Sequence, residues 1–197
     1  GEKLRLALGL ALDRDVLYTA ARDGEVIALD PASGRTKWSQ DTKADLAAGP
    51  GVGASLVAVG TSDGKVIALD VASGKVLWKA SVSSEVLSAP LVTGDRVIVR
   101  SVDGRVHALD ALTGKSQWTG EEPVPKLSLR GTASPVLAKD NIVAGFDSGK
   151  VVAFALTSGD VAWQAQVTTP GGRSELARLA DVDSAVQVDG NDGFAAG

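Results

Sequence analysis

Short apolar runs, separated by polar turns, recur along the chain at a nearly constant spacing. Four segments align without gaps, each running from an Asp-Gly or Ser-Gly pair to a tryptophan: 23–38, 63–78, 103–118 and 148–163. The closing tryptophans of these segments are Trp38, Trp78, Trp118 and Trp163, spaced 40, 40 and 45 residues apart. A repeat of about 40 residues indicates an array of similar structural units, each packed against its neighbours.

Each unit predicts four short β-strands. The Asp-Gly pair between apolar runs is typical of a tight hairpin, because glycine tolerates the positive φ that such a turn requires. A second turn follows at Asp30, Asp70 and Asp110, where an aspartate can bond the local backbone, whereas the fourth unit has Ala155 there. Runs such as VIAL are apolar on both faces, which indicates a sheet covered on both sides. The sequence therefore predicts an all-β fold, a β-propeller of four-stranded antiparallel blades.

The repeat divides the chain into about four and a half blades. We expect the blades at about 4–40, 46–80, 86–119 and 132–166, with the start of a fifth at about 183–197. A propeller removes its exposed sheet edges by closing into a ring. A chain that stops within a blade is therefore expected to be part of a longer protein.

Composition narrows the classes of function. A net charge of −4 gives no basic patch for nucleic acid or an anionic membrane surface, and the chain has no cysteine for a disulfide, a thiolate or a zinc site. His107, the single histidine, stands where other units have Ile27 and Ile67, so a packed or partly exposed strand residue is expected. We predict no catalytic residues, no metal ligands and no cofactor.

Two connections between blades break the repeat. Trp78 and Pro90 are 12 residues apart but Trp118 and Pro135 are 17 apart, so the extra residues lie within 121–134; a second long connection covers 168–183. Both connections flank the fourth blade, and up-and-down topology puts both on the face of the Asp-Gly turns. Their apolar and charged side chains predict a protein-binding patch. The residues of this patch are Leu127, Leu129, Arg130, Arg173, Leu176, Arg178, Asp181 and Asp183. For Leu127, Leu129, Arg130, Asp181 and Asp183 the alternative is that they are solvated loop residues, with the leucines tucked beneath.

The repeat motif resembles that of a known superfamily. The pattern A-x-D-x-x-[ST]-G-K-x-x-W, as in Ala68 to Trp78, is similar to the repeat of pyrroloquinoline-quinone propellers. Within that superfamily, PKLSLRGTASP (125–135) and GRSELARLADVDSA (172–185) resemble the two long loops of the BamB family. Members of that family are lipoprotein subunits of the outer-membrane β-barrel assembly machinery. The resemblance covers essentially the whole chain and implies the first half of an eight-bladed ring.

This resemblance implies a binding scaffold and not an enzyme. It implies a periplasmic protein, tethered to the outer membrane by an acylated cysteine that this chain lacks, which binds the POTRA domains of BamA and could touch other assembly subunits. The implied partner-contacting residues are Leu127, Leu129, Arg130, Asp181 and Asp183, with Arg173, Leu176 and Arg178 supporting the loop. Whether Asp181 and Asp183 contact the partner or brace Arg130 stays open. The four tryptophans are expected to be structural.

Two rival functions remain. A quinone-dependent dehydrogenase is supported by the similarity of the repeats. That family's calcium site, catalytic aspartate and adjacent-cysteine disulfide are not identifiable in this sequence, and the repeat accounts for all four tryptophans. A propeller lectin or another extracellular adaptor would follow only if the match of the two loops were accidental.

Overall fold

The computed structural model describes residues 7–53, 55–121, 133–146 and 148–167, and the backbone of 186–189 and 192–195. Within these ranges every regular element is a β-strand, which confirms the predicted all-β fold. No helix in the described part of the chain is long and apolar enough to cross a membrane.

The strands form four four-stranded antiparallel sheets, here called blades 1 to 4, in which strand order follows chain order. Blade 1 contains β1 (Ala7–Asp13), β2 (Val16–Ala21), β3 (Glu25–Leu29) and β4 (Thr36–Asp41). Blade 2 contains β5 (Leu46–Gly53), β6 (Leu56–Thr61), β7 (Lys65–Asp70) and β8 (Val76–Ser81). Blade 3 contains β9 (Leu91–Thr93), β10 (Arg96–Arg100), β11 (Arg105–Asp110) and β12 (Ser116–Glu121). Blade 4 contains β13 (Val136–Ala138), β14 (Asn141–Gly145), β15 (Lys150–Ala155) and β16 (Val161–Gln166).

A two-stranded hairpin follows blade 4. Its strands are β17 (Val186–Asp189) and β18 (Asp192–Ala195), which pair antiparallel. β17 lies beside β13 and β14, the first two strands of blade 4. The hairpin therefore occupies the position in which the next blade of the array would begin.

The apolar core lies between the blades. In blade 2, Val57, Val59, Ile67 and Leu69 pack against blade 1, while Leu56, Ala58, Val66 and Ala68 pack against blade 3. All of these side chains are at most 2% exposed. Because successive residues of a strand point to opposite faces, a run that is apolar throughout covers both faces of the sheet, as the sequence predicted.

First strands of neighbouring blades approach closely. β5 lies beside β1 and β9, and a Cβ added at Gly51 would lie 1.7 Å from the carbonyl oxygen of Pro90. A Cβ added at Gly49 would likewise lie 3.0 Å from Cα of Gly9. Only glycine permits this backbone approach, so the glycines of GPGVG (49–53) set the spacing of the inner strands.

A tight turn joins the third and fourth strands of each blade. In blade 2 the Asp70 Oδ1 accepts hydrogen bonds from the Ser73 backbone N–H at 2.7 Å and the Ser73 hydroxyl at 2.6 Å. These bonds hold the pKa of the Asp70 carboxyl below its ordinary value. Asp30 and Asp110 make the same contacts with Ser33 and Thr113, so the predicted local role of the aspartates is observed in the structure.

Candidate partner-binding face

The Asp-Gly turns and the connections between blades lie at the same end of the sheets, here called the connection face. In the four turns Gly24, Gly64, Gly104 and Gly149 have φ between 74° and 102°. The Thr42 N–H donates to the Gly24 carbonyl at 2.9 Å, and the Val82 N–H donates to the Gly64 carbonyl at 2.8 Å. Each of these connections thus begins against the turn of the blade that it leaves.

The first long connection also begins on the connection face. β12 ends at Glu121, whose Oε2 accepts a hydrogen bond from Arg105 Nε at 3.1 Å. Arg105 follows the Asp-Gly turn of blade 3 and also pairs with Asp103 in that turn, at 3.0 Å. The described chain resumes at Ala133, which is buried, ahead of β13.

The second long connection leaves blade 4 in the same way. The Val167 N–H donates to the Gly149 carbonyl at 2.9 Å, which repeats the contact seen at the ends of blades 1 and 2. The described backbone resumes at Val186, in β17. The last residues before both long connections therefore lie on the connection face.

The residues of the predicted protein-binding patch lie outside the described residues. They are Leu127, Leu129 and Arg130 in the first connection, and Arg173, Leu176, Arg178, Asp181 and Asp183 in the second. Their convergence on one surface, and the choice between partner contact and bracing for the two aspartates, therefore stay predictions.

A buried cation lies between blades 3 and 4. Arg100, at the end of β10, is 5% exposed, and its guanidinium carbon lies 5.2 Å from the centroid of the Phe146 ring. At the position of Arg100 the other blades have Ala20, Gly60 and Gly145. A cation over an aromatic face is favourable when both are desolvated. Sequence reasoning missed Arg100, although its departure from small residues at that repeat position was a readable signal.

The same interface contains a row of aromatic rings. Phe146 meets Phe154 edge-on at 6.4 Å between centroids, and Phe154 stacks with Trp118 at 6.5 Å. Phe154 fills its site because Gly120 has no side chain: a Cβ there would lie 2.6 Å from the Phe154 ring. The core between blades 3 and 4 therefore differs from the more aliphatic cores of the preceding interfaces.

His107 is buried between blades 2 and 3, as a packed strand residue. Its Nε2 lies 3.1 Å from Ser83 Oγ and 3.0 Å from Ser101 Oγ, and its Nδ1 lies 3.2 Å from Thr119 Oγ1. Ser101 Oγ donates to Asp103 Oδ1 at 2.5 Å. Ser101 lies in the same hairpin as His107, six residues away. Ser83 comes from the connection after blade 2, 24 residues away, so no local spacing in the sequence indicated it.

This cluster supports a structural network better than acyl-transfer chemistry. Because Ser101 gives its proton to Asp103, its oxygen can accept from the imidazole Nε2–H, and Thr119 can donate to Nδ1. Burial lowers the pKa of His107, against the attraction of Asp103 for the proton. A neutral imidazole held between hydroxyl groups satisfies every polar atom of the ring. Among the described residues, no group of three or more acidic or histidine side chains could hold a metal ion.

In blades 1 to 3 the indole of the repeat tryptophan donates a hydrogen bond to a carbonyl of the next blade. This repeated four-stranded blade defines a β-propeller of the pyrroloquinoline-quinone repeat class. Residues 8–197 match the family model described as outer membrane protein assembly factor BamB. The chain belongs to this BamB family.

Curated relatives agree with this assignment. The chain is 62% identical over 176 residues to the outer membrane protein assembly factor BamB of Alkalilimnicola ehrlichii, covering 89% of this chain and 46% of the relative. It is 56% identical over 181 residues to the protein of the same name from Pseudomonas aeruginosa, covering 92% of this chain and 48% of the relative. The chain thus spans about half the length of these relatives.

Solved structures show the same fold. The crystal structure of BamB from Moraxella catarrhalis matches with a TM-score of 0.89 and 29% identity, over 98% of this chain and 59% of that one. Quinohemoprotein alcohol dehydrogenase from Comamonas testosteroni matches with a TM-score of 0.70 and 17% identity, over 90% of this chain and 36% of that one. At that identity the dehydrogenase likeness shows the fold alone.

Proposed function

We propose that this chain is part of a non-catalytic scaffold in outer-membrane protein assembly, which binds the periplasmic POTRA domains of BamA. The binding surface would be formed by the two long connections that flank blade 4. The location would be the periplasmic side of the outer membrane, with a lipid anchor on the whole protein.

One observation carries this proposal: both long connections leave their blades on the connection face, at Glu121 and Val167. Extra residues that begin on one face of a rigid array are placed to form a single surface, as loops on repeat proteins do. The relatives' name, outer membrane protein assembly factor, supports the same class of function.

The chemistry of each side chain gives the residues of this surface different roles. Leu127 and Leu129 would supply apolar anchors, and Arg130 a directional donor to carbonyl or carboxylate groups of the partner. Asp181 and Asp183 would either contact the partner or hold Arg130 in place. Arg173, Leu176 and Arg178 would support the second connection.

The test is the affinity of this chain for the POTRA domains of BamA from the same organism. We expect Leu129→Ala and Arg130→Ala each to weaken binding about tenfold or more, as hot-spot truncations do. Lys43→Ala is the matched control, because the side chain of Lys43 is 81% exposed in an ordinary connection between blades. If folded Arg130→Ala binds with the same affinity as the unaltered chain, the assignment of Arg130 as a partner-contacting residue is wrong.

A double-mutant cycle between Arg130 and Asp183 resolves the role of the aspartate. If Asp183 braces Arg130, the two alanine substitutions together should cost little more than either alone. If both contact the partner independently, their costs should add.

The rival function, a quinone-dependent dehydrogenase, has weaker support. The dehydrogenase neighbours are 17–19% identical to this chain, whereas the assembly factors reach 62%. Oxidation of an alcohol after addition of the quinone and calcium, assayed on the full-length protein, would favour the rival.

A further inference from the structure

The connection between blades 1 and 2 is held by two side chains of blade 2. Ile67 and Lys79 lie directly opposite each other on β7 and β8. Lys79 Nζ donates to the carbonyl of Thr42, in the connection, at 3.1 Å. Ala44 of the same connection packs against the apolar cluster that contains Ile67. This connection is therefore held by an amine and by apolar packing.

Blade 3 has an imidazole and a hydroxyl at the equivalent positions. His107 stands where blade 2 has Ile67, Thr119 stands where it has Lys79, and the two are again directly opposite, on β11 and β12. His107 Nε2 lies 3.1 Å from Oγ of Ser83, which belongs to the connection between blades 2 and 3, and Nδ1 lies 3.2 Å from Thr119 Oγ1. Histidine is the side chain whose charge ordinarily changes between pH 5 and 8. This second connection is therefore joined to blade 3 through a titratable group.

The hydrogen bonds around His107 suit the neutral imidazole. Burial acts to raise the pKa of the Asp103 carboxyl, but hydrogen bonds from two serine hydroxyls and the charge of Arg105 lower it overall. Asp103 therefore stays ionised and accepts the hydroxyl proton of Ser101 at 2.5 Å. The Ser101 oxygen is then an acceptor for Nε2–H of His107, at 3.0 Å.

A second proton on the imidazole is poorly compensated. Burial opposes this proton most strongly, Asp103 in the turn favours it, and Arg105 on the same strand opposes it. Among the described residues, the hydrogen-bond partners from other elements are uncharged, namely Ser83 from the connection and Thr119 from β12. Blade 2 presents apolar side chains to blade 3. An imidazolium in this site therefore lacks the solvation that it has in water.

The connection is the part of this site that can move away. His107 and Ser101 are 6% and 1% exposed within the hairpin of blade 3, whereas Ser83 is exposed and lies outside the strands. If Ser83 lifts away, water reaches the imidazolium and its desolvation is relieved. Protonation therefore favours an open connection.

We infer that the connection between blades 2 and 3 (82–90) is a pH-responsive latch: neutral His107 holds Ser83 against blade 3, and a proton on His107 releases it. The connection between blades 1 and 2, held by Lys79, lacks this response. Val82 begins the latched connection on the connection face, so its release changes the shape of that face with pH. The latch goes beyond the proposed function and is independent of any partner.

Hydrogen exchange of the whole chain at pH 7 and pH 5, divided by the intrinsic exchange rate at each pH, tests the latch. The Val86 N–H donates to the Thr61 carbonyl at 3.1 Å, and the Val102 N–H donates to the Glu85 carbonyl at 3.0 Å, so these two amides report on the connection. We expect their protection to fall about tenfold between pH 7 and pH 5, because the open state binds the proton more readily.

The connection between blades 1 and 2 is the internal control. The Thr42 N–H donates to the Gly24 carbonyl at 2.9 Å, and the Leu46 N–H donates to the Arg22 carbonyl at 3.2 Å. These two amides should keep their protection at pH 5. Unchanged protection at Val86, or an equal loss at both connections, would overturn the inference.

A transplanted pair tests the role of His107. His107→Ile combined with Thr119→Lys gives blade 3 the pair of blade 2, and the new amine can reach the carbonyl of Val82, the equivalent of Thr42. We expect equal protection of the connection at pH 7 and pH 5. His107→Ile alone is the matched control: it should also be insensitive to pH but protect the connection several-fold less.

A response to pH that persists in either variant would overturn the inference. If β-sheet circular dichroism shows that the double variant does not fold, the comparison of the two connections in the unaltered chain still decides.

Discussion

The indole Nε1–H of Trp78 in blade 2 donates a 2.8 Å hydrogen bond to the carbonyl of Ala111 in blade 3. Trp38 and Trp118 repeat this contact with Val71 and Leu156 of their following blades, at the same distance. Each indole also lies against a glycine of the next blade: a Cβ at Gly74, Gly114 or Gly159 would come within 2.5 Å of the ring. The tryptophans of blades 1 to 3 therefore each join their blade to the next through one hydrogen bond and one close contact.

The contact between the indole and the glycine of the next blade gives the first prediction. Gly114 and Gly34 have nearly the same φ, +71° and +69°, but nothing lies within 4 Å of a Cβ added at Gly34. Gly34→Ala should lower the free energy of unfolding by about 1 kcal/mol, the cost of holding an alanine in the left-handed conformation. Gly114→Ala should cost a further 1–3 kcal/mol, approximately, because the Trp78 ring must move. Urea denaturation measures both free energies of unfolding.

Gly94 supplies a second control for this comparison. It also has positive φ and open space around its added Cβ, so Gly94→Ala should resemble Gly34→Ala. Equal destabilisation by all three substitutions would mean that the indole contact contributes nothing to blade packing.

Acid should weaken the contact between blades 2 and 3 through His107. Burial lowers the pKa of His107 in the folded chain below its ordinary 6.5, although Asp103 favours the proton and Arg105 opposes it. The unfolded chain therefore binds the proton more readily, so the free energy of unfolding should fall as pH drops below about 6.5, with a slope of at most about 1.4 kcal/mol per pH unit.

His107→Ile checks this pH dependence, because isoleucine is the residue at the equivalent position of blades 1 and 2 and cannot titrate. His107 is the single histidine of the chain. Urea denaturation between pH 7 and pH 5 should show a slope for the unaltered chain and a nearly flat line for the variant. Parallel lines for the two proteins would contradict the prediction.

The turn aspartates act in a lower pH range. Hydrogen bonds from Ser33, Ser73 and Thr113 lower the pKa values of Asp30, Asp70 and Asp110 below 3.8. Their contribution to stability is complete above about pH 4 and is lost as pH falls further. The two effects are therefore separated in pH, and the histidine slope can be measured alone.

Structural features that recur in every unit were predictable from the sequence, because the same pattern at equivalent positions of several units supports the same prediction. The strands, the positive φ of Gly24 and Gly64, and the bonds of Asp70 to Ser73 all follow from local turn chemistry. A single unit of about 40 residues cannot bury both faces of its sheet, so the repeat also predicts that the units stack against one another.

Contacts between different blades were not predictable in the same way. Ser83 and His107 are 24 residues apart, and Arg100 and Phe146 belong to different blades. Each pair depends on how two sheets pack, which no local pattern encodes. What the sequence does show is that His107 and Arg100 replace the residues expected at their repeat positions, so departures from a repeat locate such contacts without identifying the partners.

Blade 4 lacks the turn aspartate, and restoring it gives the final prediction. Its turn has the same backbone bonds as the others: the Gly159 N–H donates to the Ala155 carbonyl at 2.8 Å, and the Ala155 N–H donates to the Asp160 carbonyl at 2.8 Å. Ser158 occupies the position of Ser33 and Ser73, whose hydroxyls donate to the turn aspartate. In blade 4 the Ser158 hydroxyl donates instead to the Asp160 carboxylate, at 2.7 Å.

Asp160 occupies the position of Lys75 and Lys115, so Ala155→Asp alone would place two carboxylates near one hydroxyl. Ala155→Asp combined with Asp160→Lys should instead raise the free energy of unfolding by about 1 kcal/mol, because the new carboxylate gains the Ser158 N–H and hydroxyl as donors. Asp160→Lys alone is the control, and the gain should disappear below about pH 4 as the carboxyl is protonated. A double variant no more stable than the control in urea denaturation at pH 7 would show that the aspartate contributes nothing to this turn.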